Sequence, residues 1–368
     1  MGLLTMTAAS PKSGPSSSAT PGANPFLRSS RLLLVGDTTT FSNIAFGTTI
    51  NPIIPAEGFL EGIMLTISTS GGSGTSVAGT ADAPWNVIKQ ITLADSAGNN
   101  LYNLDGYAAY MAQQYGALYP FRADVDATGF TAISTTTGDF SFQLFIPQRF
   151  GRDGLGCLKN GDTSAAYQLA IQFNASSAVY STAPSTMPTI AVKVECLIRS
   201  NPPSVDPFGN ANTLSPPANG TAQYWTSQSV SGIIVGANTI QMLRLGNLIR
   251  NHLLIFRDTT GARTAAIPTT LTLSLNSQQI ITNVNAASLQ NLAYRETGNA
   301  TYQGVIPLLY TIDPTQFALA EFGDSYMITN LQTNLKLSFT GNVAGSLQIV
   351  TNDIISPDVA ALYAAASA

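Results

Sequence analysis

Residues 138–174, GDFSFQLFIPQRFGRDGLGCLKNGDTSAAYQLAIQFN, alternate apolar and polar positions at both ends of the stretch. Phe140, Phe142, Leu144 and Ile146 share one side of the first run, with Ser141 and Gln143 on the other. Tyr167, Leu169, Ile171 and Phe173 repeat the pattern in the last run, against Gln168, Ala170 and Gln172. A period of two is that of a half-buried β-strand, because successive side chains point to opposite faces of a sheet. Pro147 closes the first strand, since proline has no N–H to give to a ladder. The Gly- and Asp-rich residues between the runs are too many for a tight hairpin, which takes about two to five. The two runs are therefore expected to be strands that cross between sheets.

The same grammar runs along the chain. Strands are predicted at 31–35, 41–46, 59–69 (with Ile63, Leu65 and Ile67 facing one way), 87–93 and 190–198. The segment Leu104–Leu118 changes period: Tyr107, Tyr110, Met111, Gln114 and Leu118 recur three and four apart, which predicts a helix with Asp105 as N-cap. Its apolar stripe is expected to pack on a sheet. Five prolines between Asn201 and Gly220 mark a linker. Beyond it, strands are predicted at 222–230, 239–245, 252–257 and 271–275, then a polar turn, then a helix over Ala286–Glu296 that stops before Gly298. Strand, turn, helix and terminal glycine of 87–116 fall on 269–298 without a gap when shifted by 182 residues. The runs at 304–310 and 335–339 echo the two ends of 138–174, and 344–355 is the last strand. The chain is thus divided into a flexible Pro/Ser arm (1–25), a first unit (26–200), a linker (201–221), a second unit (222–355) and an Ala-rich tail (356–368). Many short strands with long connections point to an all-β double jelly roll: two consecutive eight-stranded jelly rolls, each with a short flanking helix.

Composition sharpens this picture. Charged residues are 10% of the 368, against the ~25% of an ordinary soluble protein. A surface of Thr, Ser, Asn and Gln suits large shared interfaces better than a freely soluble monomer. Net charge is −4 with pI ≈ 4.9, so whole-chain attraction to nucleic acid is not expected. Eleven of the sixteen basic residues are Arg, which favours fixed geometric contacts. Two cysteines, Cys157 and Cys196, are too few for a disulfide scaffold, and Cys196 reads as a buried thiol.

Chemistry is thin. His252 is the only histidine and lies beside an apolar run, where a structural role is expected; no nucleophile elbow accompanies it. The Gly-rich 151–156 segment follows a strand but opens no patterned helix, so it reads as an ordinary loop and not a phosphate cradle. Asp124 and Asp126 read as solvated carboxylates. No enzyme, cofactor or metal is expected. Arg244, Arg250, Arg257 and Arg263 recur at intervals of six or seven and are candidate interface arginines, for anionic lipid, nucleic acid or a neighbour's carboxylates.

The order of elements resembles a known family. GFLEGIMLTI at 58–67, NVIKQITL at 86–93 with its DSAG turn, the helix, FSFQLFIP at 140–147 and YQLAIQFN at 167–174 are similar to the first jelly roll of major capsid proteins from tailless, membrane-containing bacteriophages of the tectivirus type. LIRNHLLIFRD at 248–258, with the following strand and helix, resembles the start of the second roll. The chain departs in its Pro-rich arm, where relatives often carry a longer, more helical N-terminus. The resemblance implies a homotrimer of pseudo-hexagonal outline whose copies tile an icosahedral shell above an internal lipid membrane, with penton and minor capsid proteins as further partners. It implies a virion location after synthesis in the host cytoplasm. Standing rolls would put long loops at the outer end, with 70–80, 151–165 and 259–268 as candidates. Phe26, Arg28 and Arg31 are candidate contacts to membrane or neighbours near the arm. The alternatives are another virion structural protein (spike, penton or fibre) and a carbohydrate-binding β-sandwich protein. The latter should cluster its tryptophans, but Trp85 and Trp225 lie far apart.

Deleting residues 1–25 is expected to leave soluble trimers and impair shell formation, read by particle yield in gradients; normal particles from the truncated chain refute that role for the arm.

Overall fold

The computed structural model describes residues 23–36, 41–116, 129–151, 154–298, 301–310, 312–313, 318–319 and 327–355. Eight strands form the two main sheets of the first unit: β1 (Leu32–Gly36), β2 (Thr49–Ile50), β3 (Phe59–Ser70), β4 (Ile88–Ala94), β5 (Asn100–Leu104), β6 (Ser141–Pro147), β7 (Gln168–Phe173) and β8 (Thr189–Arg199), with Phe41–Ile44 added beside β8 and three shorter strands around them. They form two sheets in the orders β1-β8-β3-β6 and β5-β4-β7-β2, which is jelly-roll topology. The two alternating runs of 138–174 do cross, β6 in one sheet and β7 in the other. Register follows the apolar period. Leu65 lies opposite Val194 on one side and Leu144 on the other, and all are buried. In the facing sheet Ile91 is opposite Ile171, and Leu93 is opposite Leu169 and Tyr102. A one-residue slip would turn every one of these side chains outward, so the core itself fixes the pairing.

The second unit repeats the plan with β9 (Ala222–Ile233), β10 (Gly236–Gln241), β11 (Leu248–Asp258), β12 (Thr270–Leu275), β13 (Gln278–Asn285), β14 (Val305–Leu309), β15 (Leu335–Gly341) and β16 (Gly345–Ile355). Its sheets run β9-β16-β11-β14 and β10-β15-β12-β13, the same order as in the first roll. Each roll carries one long helix after its fifth strand, α1 (Gly106–Gly116) and α2 (Ala286–Thr297), and the first has two four-residue helices besides, Phe26–Ser29 and Ser176–Val179. Both long helices begin on a side-chain cap. Asp105 accepts the Ala108 N–H at 2.9 Å, and Asn285 accepts the Ala287 N–H at 2.8 Å. Gly298, at φ 71°, ends α2 in the left-handed region that favours glycine.

The rolls join edge to face. β5 meets β9 in parallel, Tyr102 opposite Trp225, so sheets of both rolls run on into one another. α1 fills the angle between them and is buried along its whole length. The Trp225 indole lies on Gly116, where an added Cβ would sit 2.1 Å from the ring. Leu253, Ile255 and Val350 point away from the second roll's own core and pack into that of the first, while Leu254, Phe256 and Ile349 point the other way. A sheet buried on both faces needs continuous apolar strands, and Leu248–Phe256 is buried at every position.

Three expectations need correction. β13 was expected as a polar turn; it is an edge strand whose Gln, Thr and Asn face solvent, so no period marks it. A tight hairpin at Asn276–Ser277, both with positive φ, feeds it from β12. The strand placed at 239–245 ends at Gln241. The three candidate outer loops do not share an end. β6 runs antiparallel to β3 with Pro147 opposite Gly62, so 151–165 leaves where β3 begins, whereas 70–80 leaves where β3 finishes. Loop 259–268 joins 70–80, because Arg257 and Arg263 both reach Asp82.

Gly116→Val is expected to lower stability by about 1–3 kcal/mol through overpacking against Trp225, measured as a fall in thermal midpoint.

Candidate functional site

Each of the four spaced arginines binds within the chain. Arg257 and Arg263 converge on Asp82 from the second roll, Arg263 Nε donating to Oδ1 at 2.6 Å and Arg257 binding Oδ2. Arg263 also donates to the Ala81 carbonyl at 2.7 Å and lies 4.4 Å from the centre of the Tyr107 ring, a cation–π contact. Arg250 is buried between Gln223 and Asn352, 5.3 Å from the Phe150 ring centre. Arg244 holds buried Asp353 with two 3.0 Å hydrogen bonds, and Asn247 binds the same carboxylate. Burial raises the Asp353 pKa, and Arg244 opposes that rise. Arg257 and Arg263 are roll-to-roll clamps, while Arg244 and Arg250 brace the second roll and its rim. Even spacing in sequence could not reveal that the carboxylate partners lie 109 to 181 residues away.

His252 is buried, with Nδ1 3.0 Å from the Tyr310 hydroxyl. Burial lowers its pKa to about 3, which keeps the imidazole neutral at physiological pH. Its place is structural. Cys157 and Cys196 are both buried. Asp124 and Asp126 lie outside the described residues.

Phe26 is a core anchor. It packs edge-on against Phe59 with ring centres 5.1 Å apart, beside Cys157, and is not available to a membrane or a neighbour. Arg28 and Arg31 are exposed and line an open groove of ≈ 670 Å³ with Asn24, Ser200, Asp206 and Asn212. Asn24 donates to Asp206 and Asn212, which ties the N-terminal segment to the linker. At this end the linker also presents Phe208, 88% exposed, and the second roll presents Leu331, equally exposed.

A second surface escaped the sequence reading. Leu292 and Tyr294 on α2 are 45% and 53% exposed, next to exposed Ile280 on β13. Leu289, Pro307, Leu309 and Tyr310 join Leu292 and Ile280 around an apolar hollow of ≈ 370 Å³, whereas Tyr294, two residues further along the helix, lies outside it. The signal was present in the repeat: shifted by 182 residues, Leu292 and Tyr294 fall on Tyr110 and Ala112, which are buried.

No family model matches the chain, and no curated protein does. Solved structures do. The crystal structure of the STIV (Sulfolobus turreted icosahedral virus) MCP matches with TM-score 0.65 at 15% identity, over 90% of this chain and 99% of that one. The PBCV-1 virus capsid matches with TM-score 0.63 at 14% identity, over 88% and 93%. The major capsid protein of bacteriophage PM2 matches with TM-score 0.55 at 10% identity, over 89% and 99%. At such identities the likeness concerns the fold, the double jelly roll in its entirety.

Asp82→Ala leaves two partly buried guanidinium groups without their carboxylate and is expected to cost about 3 kcal/mol of stability, whereas Lys193→Ala, at an exposed pair, costs under about 1 kcal/mol. Chemical denaturation of the two variants measures the difference.

Proposed function

We propose that the chain is a viral major capsid protein, a homotrimeric capsomer of pseudo-hexagonal outline that tiles an icosahedral shell over an internal membrane. One observation carries this reading: the likeness to capsid proteins runs through both rolls and nearly the whole of each matched chain, not through one jelly roll alone. An isolated jelly roll occurs in lectins and enzymes as well as capsids, so a single-roll match would say little about function.

The chain's own features support the reading. Few charges and abundant Thr, Asn and Gln suit a protein whose sides are covered by its neighbours. Arg257 and Arg263, groups that a solvated protein would display, serve to lock the rolls together. The two ends of the molecule differ in chemistry. Loops 70–80 and 259–268 share one end, which we assign to the outside of the shell. The opposite end carries Arg28, Arg31, Phe208 and Leu331, basic and apolar groups suited to an anionic bilayer or to minor shell proteins, and we assign it to the inside. Mechanism in such a protein is assembly: weak contacts made many times over give a shell its avidity. Penton and minor capsid proteins are partners in this reading; specific nucleic-acid binding and catalysis are no part of it. The protein would be made in the host cytoplasm and end in the virion.

The purified chain is expected to have three times its 38.5 kDa mass by light scattering and a six-sided outline in negative stain. A monomer with a plain β-sandwich outline overturns the reading.

A further inference from the structure

The sequence contains two Asn–Gly pairs, Asn160–Gly161 and Asn219–Gly220. Asparagine before glycine is chemically labile, because no Cβ on the second residue keeps its backbone nitrogen away from the asparagine side-chain carbonyl. The fold treats the two pairs differently. Asn160 is 2% exposed; its side-chain amide donates to the Pro55 carbonyl at 2.6 Å and its backbone N–H to the Gly58 carbonyl at 2.8 Å. The amide that would have to leave is held there, and water is kept from it. Asn219 is exposed, as are Ala218 and Gly220 on either side. It sits in the turn between the linker and β9, which the Thr221 N–H closes on the Ala218 carbonyl at 3.0 Å, with Gly220 at φ 93°. Among the described residues no group holds the Asn219 side chain or the Gly220 N–H.

We propose that Asn219 is a site of spontaneous modification in the folded protein, passing through a cyclic imide with Gly220 to aspartate and isoaspartate, while the fold preserves Asn160. The Gly220 nitrogen attacks the Asn219 Cγ and gives up its proton. The Cγ–Nδ2 bond breaks, and ammonia leaves with that proton. The five-membered imide then takes up one water molecule. Opening at Cγ gives aspartate; opening at the Asn219 backbone carbonyl gives isoaspartate, whose side-chain carbon now lies in the main chain. Nothing is oxidised or reduced, and solvent water is the only co-reactant. Either product adds one carboxylate to a chain of net charge −4. The new charge falls at the end that carries Arg28 and Arg31: β9 starts at Ala222 opposite Ile355, and Gln223 donates to the carbonyls of Pro147 and Gln148 where β6 ends. On the capsomer reading that end faces inward, so a shell gains negative charge on its inner surface as it ages. Only this consequence rests on that reading; the reaction needs the chain and water alone.

The full-length protein is held at mildly alkaline pH, folded in one sample and unfolded in urea in another, and both sites are followed by peptide mapping. Conversion is read as a mass gain of about 1 Da. In the folded protein Asn219 is expected to convert at least about tenfold faster than Asn160, whereas in urea the two rates agree within about threefold, since only opening of the fold exposes Asn160. Asn219→Gln, at an exposed position, should fold as the wild type does and lose the acidic form that isoelectric focusing shows for it. A folded protein in which Asn219 stays intact while the unfolded chain converts overturns the proposal, and so does a preference below about tenfold over Asn160. An acidic form that persists at the wild-type level in Asn219→Gln overturns it as well, because the charge then arises elsewhere. A monomeric protein that still converts at Asn219 refutes the capsomer reading and leaves the site standing.

Discussion

The contact between Trp225 and Gly116 is the constraint from which the rest of the structure follows. A large aromatic ring can lie against a helix only where the helix has no side chain, and α1 offers glycine there, with Ala108, Ala109 and Ala112 among its buried residues. With the indole seated, β9 comes alongside β5, and the two rolls share a sheet. The outward face of the second roll then becomes the wall of the first roll's core, so β11 must be apolar on both sides. That is why Leu253–Phe256 reads as an unbroken apolar run, and why Arg250, Asn251 and His252 before it are buried too, where its counterpart β3 alternates.

Charge is sparse, and two of the six ion pairs among the described residues cross between the rolls. Asp82 is reached by two arginines of the other roll, and the arrangement fixes one angle between the rolls at the rim, where packing alone has least hold. At the far rim Phe150 and Leu155 close on Leu248 and Ile354, and Gln223 donates to the carbonyls of Pro147 and Gln148. The two rolls are thus tied at the top, the middle and the bottom.

Duplication also leaves an imbalance. One junction formed inside the chain satisfies one helix face and one sheet face, and leaves their counterparts open. Surface made of Leu34, Ile280, Leu292 and Tyr294 is costly to keep in water, at roughly 25 cal/mol per Å² of apolar area.

The sequence by itself determined the class of fold, the order of elements and the internal repeat. Alternation in Phe140–Ile146 and Leu335–Phe339, the change of period at Tyr107, and the glycines at 116 and 298 are local signals, and local geometry answers to them. It missed β13, because an edge strand whose positions mostly face solvent has no period, and β5, a five-residue strand whose adjacent Leu101 and Tyr102 are both buried and so do not alternate; it also ran the second roll's β10 four residues too far. The four arginines were legible as contact-makers but not as to whom they contact, since Asp82 and Asp353 are remote in sequence. Phe26 looked like the root of an arm and is a core residue, because only the fold brings Phe59 and Cys157 beside it. Nor could the sequence decide that α1 is covered and α2 is open: the two helices align residue for residue, and their difference lies in what the rest of the chain folds against. Periodicity reports which face of an element is apolar; which neighbour covers that face is settled by tertiary packing alone.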